Sequence, residues 1–356
     1  MQNNISSDNL KYYQEQDKEN ILKLRAVIDT LPKFCREYFL SIANSKAART
    51  RLGYAYDIRT FFEFLHEQNP TLNKLNIRDF TLNVLDQVTR EDIDEYLDYI
   101  SLYDHEGREL SNELVGKKRK AAAVRSMFNY FFKMDKISHN APSKIEMPKL
   151  KEKPIIRLEP NEIVEMLDVV EEGDKLTDKQ KIYHNKTRIR DVAIITLLLG
   201  TGIRVSECVG IDLNDLDFEN CGISIHRKGG KDSVIYFGDE VRDALMAYLA
   251  ERNLIVPITG HEKALFLSLQ NRRISVRAVE NLVKKYAKNV TSLKKITPHK
   301  LRSTYGTNLY RETGDIYLVA DVLGHSDINT TRKHYADQSD ENRRRAARIV
   351  RLRENN

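Results

Sequence analysis

Apolar residues in the first part of the chain recur at helical rather than strand spacing. Residues 10–28 read as a charged amphipathic helix, and Pro32 and Lys33 open a second that carries Phe34, Tyr38 and Phe39. Ser45 stands where a cap for a third helix, 46–68, is expected, with Leu52, Ala55, Phe62 and Leu65 on its apolar stripe. Thr89-Arg90-Glu91-Asp92 is a capping-box start, followed by Ile93, Leu97 and Ile100 on one face. Ser111 is read as the start of the next helix. Its first half is basic (Lys117, Lys118, Arg119, Lys120, Arg125), and its second half is apolar, with Val124, Phe128, Phe131 and Phe132.

The texture then changes. Pro142, Pro148, Pro154 and Pro160 punctuate a polar stretch, which predicts an extended basic linker over 141–157 between domains at 1–140 and 158–356. Beyond it, a helix near 160–171 precedes a polar stretch, 172–187, and a buried helix near 187–200 that ends at Gly200 and Gly202. Alternation in Cys221–His226 and Ser233–Phe237, around Lys228-Gly229-Gly230-Lys231, predicts a β-hairpin. Helices follow near 239–252, 275–289, 299–312, 315–323, 328–335 and 339–353. The expected fold is mainly α, in two domains, with one small antiparallel β-sheet.

Composition narrows the function. Hydrophobic residues make up 41% and charged residues 31% of the 356, as in soluble globular proteins. No run of about 18 uncharged apolar residues exists, so no membrane partner is expected. The beginning of the chain lacks the basic-then-apolar order of a signal peptide, and Cys35, Cys208 and Cys221 show neither metal spacing nor a disulfide framework. A cytoplasmic location is expected. The net charge of +6 is unevenly placed. Residues 111–153 hold eleven Lys/Arg against four Asp/Glu, and six arginines (343, 344, 345, 348, 351, 353) crowd the end. Such clusters suit a phosphate backbone, although solvated helix faces carry charge in the same way.

Four short clusters carry candidate chemistry. In Thr201-Gly202-Ile203-Arg204-Val205-Ser206-Glu207, the glycines break a buried helix and Arg204 leaves the core at a tight turn. A guanidinium there can fork onto two phosphate oxygens, and Glu207 can orient it. In Arg227-Lys228-Gly229-Gly230-Lys231, two glycines let a hairpin tip approach a backbone closely. In Pro298-His299-Lys300-Leu301-Arg302, an imidazole and a guanidinium share one face of a first helical turn. The fourth runs Leu323-Gly324-His325 and on to Thr330, Thr331 and Tyr335. Each alone has a plainer reading: a surface ion pair, a hairpin lysine, a helix-start donor, a satisfied turn histidine.

In their order and spacing, the four clusters resemble the tyrosine recombinase/integrase family. TGIRVSE is similar to its first arginine motif, HRKGGK to its hairpin lysine, HKLR to its His-x-x-Arg box and LGHSDINTTRKHY to its final histidine and nucleophile box. The resemblance is strong over about 188–337 and looser back to the 46–68 helix, and it is nearest to Xer-type recombinases of Gram-positive bacteria that act as a single protein. It implies a C-shaped clamp on double-stranded DNA, built from a helical core-binding (SAM-like) domain and a catalytic domain. By the same resemblance, Arg204 and Arg302 hold the scissile phosphate and Lys228 protonates the departing 5′ oxygen. His299 assists proton transfer, His325 hydrogen-bonds the phosphate, and Tyr335 forms a 3′-phosphotyrosyl link.

Lys117, Lys118, Arg119, Lys120, Arg125 and Lys231 are the expected DNA contacts. No cofactor and no metal is expected, because two arginines and a lysine already neutralise a phosphodiester under attack by a phenol. The resemblance further implies a homotetramer on paired sites, with the 339–353 helix exchanged between protomers, and a Xer-like role in chromosome dimer resolution. Integration or excision of a mobile element uses the same chemistry. A non-catalytic DNA-binding protein on this fold has no need of Lys228 or Tyr335.

Overall fold

The computed structural model describes residues 11–105, 107–146, 155–227, 231–325, 328 and 331, and the chain divides into two compact units, Met1–Lys153 and Pro154–Asn356. The first unit contains α1 (Tyr12–Ile28), α2 (Cys35–Ser41), α3 (Ala48–Gln68), α4 (Asn83–Gln87), α5 (Arg90–Tyr99), a β1–β2 hairpin (Leu102–His105, Arg108–Ser111) and α6 (Leu114–Lys133). Ala55, Ile58, Phe62 and Leu65 repeat at helical spacing on α3. They are buried in one core with Val124, Phe128 and Phe131 of α6. Edge-to-face rings close the core: Phe34 on Phe131 at 5.4 Å and Phe61 on Tyr96 at 5.1 Å. Thr89 caps α5 as its sequence requires, with Asp92 N donating to Thr89 Oγ1 at 3.2 Å and Thr89 N to Asp92 Oδ2 at 2.7 Å.

Three expectations for this unit are corrected. Ser45 does not cap α3; Ala47 holds that position, and the Ser45 hydroxyl donates back to the Ile42 carbonyl. Ser111 does not begin a helix. It pairs with Leu102 at the end of β2, and Asn112 Nδ2 donates to the Ile100 carbonyl at 2.9 Å, closing the hairpin against the end of α5. A four-residue strand exposed along its whole length has no alternation to read. Residues 141–145, expected in the linker, belong to the first unit. Ala141–Lys144 form a 3-10 turn, and Ala141 and Ile145 belong to the first core. Arg125 ties the turn down through Nε to the Pro142 carbonyl (2.9 Å) and Nη2 to the Ile145 carbonyl (2.6 Å).

The second unit contains α7 (Pro160–Glu172), α8 (Asp178–Thr201), α9 (Val205–Gly210), strands β3 (Leu216–Asp217), β4 (Gly222–Arg227) and β5 (Lys231–Tyr236), then α10 (Asp239–Arg252), α11 (Val276–Ala287), α12 (Pro298–Thr313) and α13 (Ile316–Leu323). The strands form an antiparallel sheet in the order β3-β4-β5, with Arg227 opposite Lys231. α8 packs against α7, α10, α11 and α12, so Ile194, Ile195, Leu197 and Leu198 are all buried, with no solvent face among them. It begins earlier than its apolar run, because Thr177 caps it by accepting from Gln180 N at 3.4 Å.

Midway along α8 lies a buried carboxylate. Asp191, 1% exposed, accepts from Thr187 Oγ1 (3.0 Å), Tyr286 OH (2.8 Å), Lys285 Nζ (3.2 Å) and Arg190 Nη2 (2.6 Å). Burial holds the Lys285 ammonium below the usual lysine range, against the opposing pull of Asp191. Removing a carboxylate from such a cluster leaves buried cations without a counter-charge. Asp191→Ala is expected to destabilise the second unit by about 3–5 kcal/mol, read as a lower urea midpoint. A loss below about 1 kcal/mol, the range of exposed pairs, would show that the cluster is hydrated.

Candidate active site

The site grows from three helix boundaries. α8 ends at Gly202, in the left-handed region at φ +63°. A Cβ there would lie 2.5 Å from the Tyr305 ring and 2.9 Å from Leu323, so only glycine lets the chain turn against these neighbours. The turn makes Arg204 the N-cap of α9. Its backbone N–H donates to Glu207 Oε2 at 2.9 Å and its Nη1 to Glu207 Oε1 at 2.8 Å. Glu207 is buried, so its carboxylate both caps the helix and fixes the guanidinium. Arg204 Nη2 then reaches the Gly324 carbonyl at 3.1 Å.

α12 starts on Pro298, a preorganised first position, which puts His299 and Arg302 in the opening turn. His299 is exposed. Arg302 is 5% exposed; its Nη1 donates to the Gly202 carbonyl at 2.6 Å and its Nη2 to the Leu323 carbonyl. α13 is capped at its start by Asp315, which accepts from Tyr317 N and Leu318 N, and ends at Gly324 with φ +61°. His325 follows, with its N–H on the Ala320 carbonyl (2.9 Å) and Nδ1 2.7 Å from the hydroxyl of buried Thr331.

Arg204, Arg302 and His325, 121 positions apart from first to last, thus meet around residues 323–325. The result is two permanent positive charges and an oriented imidazole at the carbonyl end of a helix, where the helix dipole favours cations. Such an arrangement can hold an anionic, planar-forked group such as a phosphate. A third arginine joins it that the sequence reading left without a role. Arg227, at the end of β4, donates through Nη1 to the Asp321 carbonyl (3.2 Å) and through Nη2 to the Val322 carbonyl (2.9 Å). Its one signal in the sequence is its place beside the lysine-glycine tip. Lys228 and Tyr335 lie outside the described residues.

The expected DNA contacts divide. Lys118 and Arg119 are exposed on α6 and Lys117 is half-buried. Arg119 also reaches Asp57 at 2.5 Å. Lys120 is 6% exposed, with Nζ 3.5 Å from the buried Asp57 carboxylate and 3.3 Å from Thr60 Oγ1, so its charge is spent inside the first unit. Arg125 serves the turn at 141–145. Lys120 and Arg125 thus satisfy oxygens of their own unit. The backbone of Lys231 pairs with Arg227 in the sheet. Among the described residues, no helix is long and apolar enough to cross a membrane.

Comparison with known proteins fits this geometry. Residues 157–342 match the model of the phage integrase family. The chain is 33% identical to tyrosine recombinase XerC of Caldanaerobacter subterraneus subsp. tengcongensis, over 83% of this chain and 79% of the relative. It is 29% identical to tyrosine recombinase XerS of Streptococcus agalactiae, over 87% and 93% of the two. Among solved structures, the fold is similar to XerH recombinase bound to a palindromic difH substrate (TM-score 0.64, 20% identity, 86% of this chain and 81% of that one). It is also similar to the Tn1549 transposon integrase in complex with circular intermediate DNA (TM-score 0.63, 24% identity, 89% and 99%). The chain therefore belongs to the phage integrase family and is a tyrosine recombinase, an enzyme that breaks and rejoins DNA.

Proposed function

We propose that this chain is a Xer-like site-specific recombinase in which Arg204, Lys228, His299, Arg302, His325 and Tyr335 form one active site. The observation that carries the reading is the meeting of Arg204, Arg302 and His325 at residues 323–325, within one short stretch of chain from Tyr335. Arg204 and Arg302 neutralise the scissile phosphate, with His325 as a further hydrogen-bonding partner. The Tyr335 oxygen bonds to phosphorus while the bond to the 5′ oxygen breaks. The phenolic proton leaves toward His299, and the Lys228 ammonium gives a proton to the departing 5′ oxygen. The 3′-phosphotyrosine keeps the energy of the broken ester. Attack by a 5′ hydroxyl of the partner strand therefore reverses the step without ATP and passes through a Holliday junction.

The biological event proposed is resolution of chromosome dimers in the cytoplasm, by a homotetramer on paired sites. XerC and XerS relatives over most of the chain support this reading ahead of mobile-element integration. The segment 339–353, with its arginines and its apolar Ala346, Ala347, Ile349, Val350 and Leu352, is proposed to join neighbouring protomers as an exchanged helix.

The nucleophile is tested with a nicked suicide substrate on a denaturing gel. Tyr335→Phe removes one oxygen and no charge, so DNA affinity is expected to stay unchanged while the covalent band disappears. A covalent band from the Phe variant would refute the assignment. The parent band is expected to persist in excess EDTA, and a strict magnesium requirement would count against charge neutralisation by Arg204, Arg302 and Lys228. Ending the chain at Gln338 is expected to weaken cooperative filling of paired half-sites in a gel-shift titration; unchanged cooperativity would exclude the exchanged helix.

A further inference from the structure

Arg227 is the last residue of β4 and the residue before Lys228. Its guanidinium spans to the end of α13, with Nη1 on the Asp321 carbonyl at 3.2 Å and Nη2 on the Val322 carbonyl at 2.9 Å. These acceptors belong to the last turn of a helix, whose carbonyls carry its partial negative charge; the Asp321 carbonyl also accepts from Gly324 N at 2.8 Å. Together with the Arg302 bond to the Leu323 carbonyl and the Arg204 bond to the Gly324 carbonyl, four consecutive carbonyls are held by three arginines. Two of those arginines are the proposed phosphate ligands. The third comes from the hairpin.

Gly324 reports how close the hairpin arginine lies. A Cβ on Gly324 would stand 2.0 Å from Arg227 Nη1 and 2.6 Å from its Cζ, so the guanidinium lies across the bare backbone of this glycine. The carbonyl of the same residue accepts from Arg204. The end of β4 is therefore tied, through one residue, to the group that holds a proposed phosphate arginine and precedes His325. Glycine at 324 is required twice, by its φ of +61° and by the guanidinium above it.

We infer that Arg227 is a positioning residue: its grip on the end of α13 sets where the hairpin delivers the Lys228 ammonium relative to the phosphate. The inference rests on the reading of Lys228 as the acid that protonates the leaving oxygen. A general acid acts only within hydrogen-bond reach of the atom it protonates, and a misplacement of about 1 Å can cost a hundredfold in rate. Arg227 immediately precedes Lys228, and its two bonds to the end of α13 anchor the β4 side of the hairpin.

The test uses the full chain and two suicide substrates, one with the normal 5′ oxygen at the cleavage point and one with sulfur in its place. A thiolate leaves without a proton, so a defect in acid delivery disappears on sulfur. Arg227→Ala is expected to cleave the oxygen substrate about 10–100-fold more slowly than the parent, the size of a misplaced catalytic group, and to approach the parent rate on sulfur. Lys228→Ala should behave alike. Arg227→Gln keeps part of the aliphatic stem and an uncharged amide donor; it should show the same recovery with a thermal unfolding midpoint close to the parent, which separates positioning from folding. Recovery of Lys228→Ala without recovery of the Arg227 variants would leave the acid assigned and overturn the role of Arg227. Failure of all of them to recover would remove Lys228 as the acid, and the inference with it. Parent-like rates for both Arg227 variants on oxygen would overturn it as well.

Discussion

The carbonyl end of α13 is the constraint around which the catalytic unit is arranged. A helix leaves its last carbonyls unpaired, and burying them without donors costs free energy comparable to lost hydrogen bonds. Here the backbone N–H groups of Gly324 and His325 are joined by guanidinium groups from three separate parts of the chain: Arg227 from a strand, Arg302 from the first turn of α12 and Arg204 from the turn after α8. Each arginine satisfies the helix and is in turn fixed by it. The structural need to cap a helix and the chemical need to gather positive charge are met by the same bonds. Glu207 adds a carboxylate on Arg204, and it is held by the α9 N-terminus rather than left to compete from solution.

Two glycines make this possible. Gly202 allows α8 to stop against Tyr305 and Leu323, and its own carbonyl accepts from Arg302. Gly324 allows α13 to stop beneath Arg227, and its carbonyl accepts from Arg204. The two helix ends are thus joined through the arginines of the site. A change at either glycine strains the backbone and displaces a charged group at once.

The two units handle buried charge in the same way. In the first, Asp57 lies between α3 and α6 and holds Lys120 and Arg119; desolvation raises its pKa, opposed by those two cations. In the second, Asp191 holds Arg190, Lys285 and Tyr286 between α8 and α11. Both carboxylates are almost fully desolvated, and each holds at least one cation out of solvent: Lys120 on Asp57, Arg190 and Lys285 on Asp191. Each links a helix pair: α3 to α6 through Asp57, and α8 to α11 through Asp191.

Much of this protein was legible in its sequence because the relevant signals are local. Helical periodicity, the Thr89 cap and the break at Gly202 act within a turn or two of chain, and most elements lie close to where the pattern puts them; α8 departs from this, since its first turns, capped by Thr177, fall in the stretch read as polar. The order of Arg204, His299, Arg302, His325 and Tyr335 marks the chemistry in one dimension. What a side chain does with its charge is not local. Lys117 to Arg125 read as one basic face, yet Lys120 turns inward because Asp57, on another helix, lies beneath it, and Arg125 turns to a pair of carbonyls downstream. The β1–β2 hairpin escaped notice because four residues on an exposed strand carry no alternation, and it is cross-strand pairing that creates them. Arg227 looked like one more cation at a hairpin tip. Only tertiary structure decided that it, like Arg204 and Arg302, closes the end of α13, because the acceptors it needs are nearly a hundred residues away in the chain and become its neighbours through folding alone.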